Sequence, residues 1–227
     1  MPRPQLVIFD CDGVLVDSEV ISNDVLARAL TAEGLPTTLA QARAAYQGLL
    51  LSEVVTSAQR QLGRPLPPGW LERYERDRTA AFRRGLRAVD GAADAVAACV
   101  AAGVAVCVAS QGKLEKTRLS LELCGLRELF APDALFSAED VARGKPHPDL
   151  FLHAASVIGA APSRCVVVED SPSGVLAARA AAMRALGLAA DSDEEALARA
   201  GAEVVFSLAE LPRLLELEPT DGPGGGP

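Results

Sequence analysis

Five short apolar runs punctuate the chain: Leu6–Asp10, Val104–Ala109, Ala134–Phe136, Cys165–Val168 and Arg184–Leu188. They are rich in β-branched residues and bounded by Gly, Pro or polar residues, which predicts buried strands. A sixth run, Glu203–Phe206, predicts an edge strand. Between them the spacing of apolar positions changes to the helical period, predicting helices over Ala92–Ala102, Leu114–Cys124, Pro148–Ile158 and Pro172–Met183. Gly103, Gly125 and Gly159 stand just past three of these, and Pro148 and Pro172 open two, matching the expected helix punctuation. Strands alternating with helices imply a parallel sheet covered on both faces, so the fold class is α/β with a Rossmann-like core.

One connection breaks the rhythm. Roughly ninety residues separate the first run from the second, against about thirty for a whole strand-helix-strand unit. That interval holds no convincing strand. It holds helical patterns near Val20–Glu33, Leu39–Tyr46, Leu51–Leu62 and Pro68–Arg84, separated by Gly34, Gly48 and Gly63-Arg64-Pro65. We therefore expect a core over 1–17 and 86–215, an inserted all-helical cap over 18–85, and a disordered Pro/Gly-rich tail over 216–227.

Composition narrows the classes. Hydrophobic residues make up 49% of the chain, enough for a core without disulfides. The five cysteines (Cys11, Cys99, Cys107, Cys124 and Cys165) form no metal-like spacing and read as small buried hydrophobes in a reducing compartment. The first apolar run is too short for a signal peptide or a membrane span, so the expected location is the cytoplasm, with no membrane partner. A net charge of −8 with no basic run argues against nucleic acid. Nothing suggests a partner chain, and a monomer is expected. Lysine is scarce: Lys113, Lys116 and Lys145 are all there are.

The first strand ends in Asp10-Cys11-Asp12-Gly13, and the run at 165–168 ends in Glu169-Asp170-Ser171-Pro172. In an open parallel sheet the ligand crevice lies beyond the carboxyl ends of the strands, so these acids converge. Each like-charged pair at about 4 Å costs about 4 kcal/mol at an effective dielectric near 20. Four such groups call for a cation, and oxygen-only donors suit magnesium, which keeps waters and binds a substrate phosphate. The strand at 104–109 leads into Ser110-Gln111-Gly112, a hydroxyl and backbone amides at a natural anion site. Lys145, between Gly144 and Pro146, is a cation that could reach the same edge.

Together Asp10-Cys11-Asp12-Gly13-Val14-Leu15-Val16-Asp17-Ser18, Ser110, Lys145 and Glu169-Asp170 resemble the four ordered motifs of the haloacid dehalogenase superfamily. The helical insertion resembles that of its subgroup containing phosphoglycolate phosphatase, β-phosphoglucomutase and small sugar phosphatases. The resemblance covers about residues 5 to 190. It implies that Asp10 is the nucleophile, forming an aspartyl-phosphate. It implies that Asp12 is the general acid-base, with a raised pKa. Cys11, Gly13, Ser110, Gln111 and Lys145 would hold the phosphoryl group, Cys11 through its backbone amide. Asp10, the Asp12 backbone carbonyl, Asp170 and Glu169 would hold Mg2+. Tyr46, Gln47 and Gly48 of the insertion would face the substrate, a small phosphorylated metabolite.

Blander readings stand beside these. Asp17 and Glu19 are read as caps of the first inserted helix, Ser18 as a cap or a hinge contact, and His147 and His153 as structural. Cys11 is not a catalytic thiol, since neighbouring acids raise its pKa. Within the resembled family, Asp12 argues against a dehalogenase, and an insertion without lysine argues against a phosphonatase. β-Phosphoglucomutase-like proteins carry a histidine and an arginine where this chain has Ser22 and Leu51, which favours water as the acceptor. The regions 17–21 and 135–146 look most like sugar and sugar-acid phosphatases. A receiver-like phospho-aspartate switch is the alternative from another class, although such domains lack the insertion.

Overall fold

The computed structural model describes residues 3–46 and 49–217. Six strands form one parallel sheet: β1 Leu6–Phe9, β2 Ala105–Ser110, β3 Leu135–Ser137, β4 Cys165–Glu169, β5 Arg184–Leu188 and β6 Glu203–Val205. Their order is β3-β2-β1-β4-β5-β6. The chain thus runs outward on one side of β1 and then on the other, and the order switches between β1 and β4, where α/β sheets open a ligand crevice. In register, Leu6 of β1 lies beside Ala105 on one side and Cys165 on the other. All four residues of β1 are buried, which its uninterrupted Leu-Val-Ile-Phe sequence requires of a strand covered on both faces.

The core helices are α5 Ala92–Ala101, α6 Leu114–Leu123, α7 Asp149–Ile158, α8 Pro172–Ala180, α9 Glu194–Ala200 and α10 Leu211–Leu214. They close over a large apolar cluster that includes Phe9, Phe130, Phe151 and Leu186. Between β1 and α5 lie α1 Glu19–Ala32, α2 Leu39–Tyr46, α3 Leu51–Leu62 and α4 Trp70–Gly85. These four pack around a second cluster of their own, with Leu26, Leu30, Tyr46, Trp70 and Tyr74 among its buried members. On α4 the stripe Trp70, Tyr74, Arg78 and Phe82 recurs every fourth residue and so shares one face. The chain enters and leaves the insertion at adjacent points. Val16 bridges Ala88, the Asp17 N–H donates to the Arg87 carbonyl (2.9 Å) and the Val89 N–H to that of Leu15 (3.0 Å).

Three expectations need adjusting. Neither α9 nor α10 shows in the apolar pattern, because each buries a single residue, Leu197 or Leu211, and one position carries no period. Glu216 and Leu217, read as the start of a disordered tail, belong to the folded part: Leu217 is buried in the main cluster and its N–H donates to the Pro212 carbonyl (2.8 Å). Gln47 and Gly48, read as the loop facing the substrate, lie outside the described residues. No helix among the described residues is long and apolar enough to cross a membrane.

Candidate active site

The carboxyl ends of β1, β2 and β4 meet at the floor of a cavity of about 1000 Å³ between sheet and insertion. Asp10 follows β1 directly and is 7% exposed, and Glu169 closes β4 fully buried. Lys145 reaches between them. Its Nζ donates to Asp10 Oδ1 (2.6 Å), Glu169 Oε1 (2.6 Å) and the Ala109 carbonyl (3.0 Å). Gln111 holds the lysine's backbone, its Oε1 accepting the Lys145 N–H (3.0 Å) and its Nε2 donating to the Lys145 carbonyl (3.4 Å). The Gln111 side chain is therefore engaged in placing the lysine, which leaves its backbone amide as the group expected on the phosphate. Ser110 is buried on the cavity floor, and its Oγ accepts the Gly112 N–H (3.1 Å).

Glu169 is tied down from its other oxygen. Oε2 accepts the Ser171 hydroxyl (2.9 Å), the Ser171 N–H (3.1 Å) and the Asp170 N–H (3.2 Å). Gly174 leaves room for this: a Cβ there would lie 1.9 Å from the Glu169 carboxyl carbon. Gly13 does the same for Asp170. It has φ +75°, and a Cβ would come within 2.1 Å of Asp170 Oδ2.

Oxygens of Asp10, Glu169 and Asp170 lie within 4.8 Å of one another, an arrangement that could hold a metal ion. Burial pushes the Asp10 carboxyl up to about 7, with the charges of Glu169 and Asp12 adding and Lys145 opposing. Burial likewise pushes Asp170 well above the usual carboxylate range, helped by Glu169 and Asp10. Two acids that resist ionising beside a third are short of positive charge. An all-oxygen set short of positive charge fits a hard divalent cation. The Glu169 oxygens already accept Lys145, Ser171 and Asp170, so Asp10 and Asp170 are the better donors, with Glu169 orienting the group.

Asp12 stands apart from that cluster. Its backbone carbonyl is the group expected on the metal; its carboxylate accepts from Lys116 Nζ and the Ser18 hydroxyl, both short contacts to Oδ1. Its expected raised pKa is overturned. Burial does push the carboxyl up, but Lys116, Ser18 and more distant Arg78 together bring it below the usual value. Ser18 is the N-cap residue of α1 yet makes no side-chain cap bond. Glu19 lies in the first turn of α1, accepts from Asn23 Nδ2 (3.1 Å) and lines the cavity. Cys11 is fully buried and its thiol is held well above its usual pKa by burial and the Asp12 charge, which rules it out as a thiolate. Tyr46, Ser22 and Leu51 line the insertion side.

Sequence reasoning missed Lys116, Ser18 as its fellow donor, and Arg78. The scarcity of lysine was the one available signal: all three lysines line this cavity.

Fold and site together define an α/β enzyme built on paired carboxylates at the carboxyl edge of a parallel sheet. Residues 4–182 match the model of the haloacid dehalogenase-like hydrolases, and the chain belongs to that family. It is 30% identical over 215 residues to 6-phosphogluconate phosphatase of Escherichia coli (strain K12), covering 94% of this chain and 96% of the relative. It is 32% identical over 188 residues to hexitol phosphatase B of the same strain, covering 82% and 84%. A family hydrolase from Deinococcus radiodurans R1, solved with bound phosphate and sodium, superimposes with a TM-score of 0.79 at 36% identity, covering 96% of this chain and 97% of that one. With these relatives the chain is a phosphoric monoester hydrolase of the haloacid dehalogenase-like type.

Proposed function

We propose that the chain hydrolyses a small sugar or sugar-acid phosphate in two steps through an aspartyl-phosphate on Asp10, with Mg2+ held by Asp10 and Asp170. The observation that carries this reading is the partition of the two aspartates. Asp10 faces Lys145 and the acidic cluster on the sheet side, whereas Asp12 faces Lys116 and Ser18. This partition supports Asp10 as the attacking carboxylate and Asp12 as the one that manages a proton.

In the first step a carboxylate oxygen of Asp10 attacks phosphorus, the bond to the ester oxygen breaks, and Asp12 gives that oxygen a proton. Lys145, anchored on the Ala109 carbonyl and on Glu169, keeps Asp10 aimed and offsets phosphoryl charge. The Ser110 hydroxyl, next to the Gly112 amide, is a contact for a phosphoryl oxygen. Bound magnesium would neutralise charge on the phosphoryl oxygens. In the second step Asp12 takes a proton from water as that water attacks phosphorus, and Asp10 is freed as a carboxylate. The ionised state that Lys116 imposes on Asp12 suits this second role directly. The first role requires substrate entry to draw Lys116 onto the ester's own anionic oxygens, so that Asp12 regains affinity for a proton.

The insertion forms the far wall of the cavity and would keep stray water from the phosphoenzyme. All five cysteines are unpaired, which supports a reducing cytoplasmic setting. The test is turnover of p-nitrophenyl phosphate and a panel of sugar phosphates with magnesium and with excess chelator. Metal-dependent release of inorganic phosphate is expected. Absence of turnover on every ester would overturn the reading.

A further inference from the structure

The cavity is lined by four cations: Arg78, Lys113, Lys116 and Lys145. Three of them have carboxylate partners. Lys145 binds Asp10 and Glu169, Lys116 binds Asp12, and Lys113 binds Glu75 (2.8 Å). Arg78 has no ion pair among the described residues, although other arginines of the insertion do: Arg28 with Asp24, Arg64 and Arg73 with Glu33, and Arg76 with Asp77. It is also the one cation of the insertion on this cavity among the described residues.

Its position is built. Arg78 is half-buried on α4, one turn from Tyr74 and one turn from Phe82. Its guanidinium lies 5.2 Å from the Tyr74 ring centroid and 6.0 Å from that of Phe82. Tyr74 is fixed in turn by stacking on Trp70, with centroids 5.8 Å apart and planes 6° from parallel. A guanidinium set against two aromatic rings, with one N–H engaged by Tyr74, is held in place and keeps its remaining N–H donors for a ligand. Arg78 also lies close enough for its charge to act on Asp12, the residue that serves the leaving oxygen. It therefore lines the Asp12 side of the cavity, where the alcohol half of the ester would lie, and not the Lys145 side.

The geometry points to Arg78 as the residue that reads a second anionic group, a carboxylate, on the leaving-group half of the substrate. This rests on the phosphatase reading above and narrows it from sugar phosphates in general to phosphorylated sugar acids. A single planar fork matches a monoanionic carboxylate in charge and shape. A second phosphate dianion would call for further unpaired cations, and the insertion offers this cavity no other among the described residues. The two curated relatives described above differ on this point by name, one a phosphatase of a sugar acid and the other of hexitols.

The test compares kcat/KM for gluconate 6-phosphate and glucitol 6-phosphate, which differ at C1 as carboxylate against hydroxymethyl. The parent protein should favour the acid. Arg78→Gln should lower the acid-to-alditol ratio by roughly 10- to 150-fold, the value of a hydrogen-bonded charge pair. Arg78→Lys, which keeps the charge without the fork, should give an intermediate ratio, and it carries the same comparison if the glutamine variant fails to fold. A ratio unmoved in both variants, or a parent that favours the alditol or a hexose 1,6-bisphosphate, would overturn the assignment. p-Nitrophenyl phosphate separates the two levels: turnover of it with both six-carbon esters refused sinks the Arg78 reading alone. No turnover of any ester sinks the phosphatase reading and this one with it.

Discussion

Gly174→Ala puts the buried acid of the site to a quantitative test. Glycine inside a helix ordinarily costs about 0.5–1 kcal/mol relative to alanine, so helix propensity alone says that the change stabilises α8. The surroundings say the opposite. A Cβ at 174 would lie 1.9 Å from both the carboxyl carbon and Oε1 of Glu169 and 2.3 Å from Oε2. Glu169 cannot retreat into solvent, because it is fully buried at the end of β4. To make room, its carboxylate must let go of Lys145, Ser171 and the Asp170 N–H together. Breaking a buried ion pair costs about 3–5 kcal/mol, since the partner stays buried without its counterion. Set against the helix gain, the net loss is about 2–4 kcal/mol. That is a substantial part of the roughly 5–15 kcal/mol that stabilises a typical domain. Urea unfolding in chelator should show a lower midpoint at unchanged slope. In a Glu169→Ala background the same substitution should turn neutral or stabilising, because the clash is gone, and the two changes should be far from additive. A Gly174→Ala protein at least as stable as its parent would refute the account of Glu169 as a clamped, buried acid.

Other expectations follow from the same geometry. Lys145→Met leaves Asp10 and Glu169 facing each other without a cation, so stability should fall by about 3–5 kcal/mol in chelator, and phosphate-ester turnover should be lost; calorimetry and a phosphate-release assay check the two. Asp12→Asn should slow hydrolysis of an alkyl phosphate by roughly 10²- to 10⁴-fold. The loss should be smaller for p-nitrophenyl phosphate, whose leaving group needs less help, and equal losses would contradict the proton role. Gly13→Ala combines a left-handed backbone with a contact onto Asp170 Oδ2, so it should weaken magnesium binding measured by titration calorimetry more than it weakens the fold.

The parallel core was legible because its strands are buried on both faces and read as uninterrupted apolar runs. Cys165-Val166-Val167-Val168 cannot be mistaken for a half-exposed strand, and the acids that follow it mark the carboxyl edge. Strand ends fell within one residue of the runs for the same reason. The insertion was legible as an interval too long for one crossover. What escaped depends on contacts between distant parts of the chain. Lys116 sits on α6 one helical turn from Lys113, and by sequence the two look alike. Only the fold sends one to Glu75 at the rim and the other to Asp12, 104 residues away. Without Lys116 in view, nearby carboxylates and a closed site give Asp12 a raised proton affinity, the wrong sign. Gln111 was read from its place at a strand end, which gives its backbone position but not the partner of its amide. Arg78 was hidden among the many arginines of α4, and its aromatic brackets become visible only when every fourth residue is read as one stripe.

The bridge between Val16 and Ala88 has a consequence for how such a protein can diversify. The insertion begins and ends side by side on the core, so it hangs from the sheet like a cartridge from a socket. Two lineages could trade the whole stretch between those residues without shifting a single strand register. The reacting carboxylates and their lysine would stay with the socket, while the preference for one metabolite over another would travel with the cartridge. A chimaera joined at these two positions should therefore inherit its chemistry from one parent and its diet from the other.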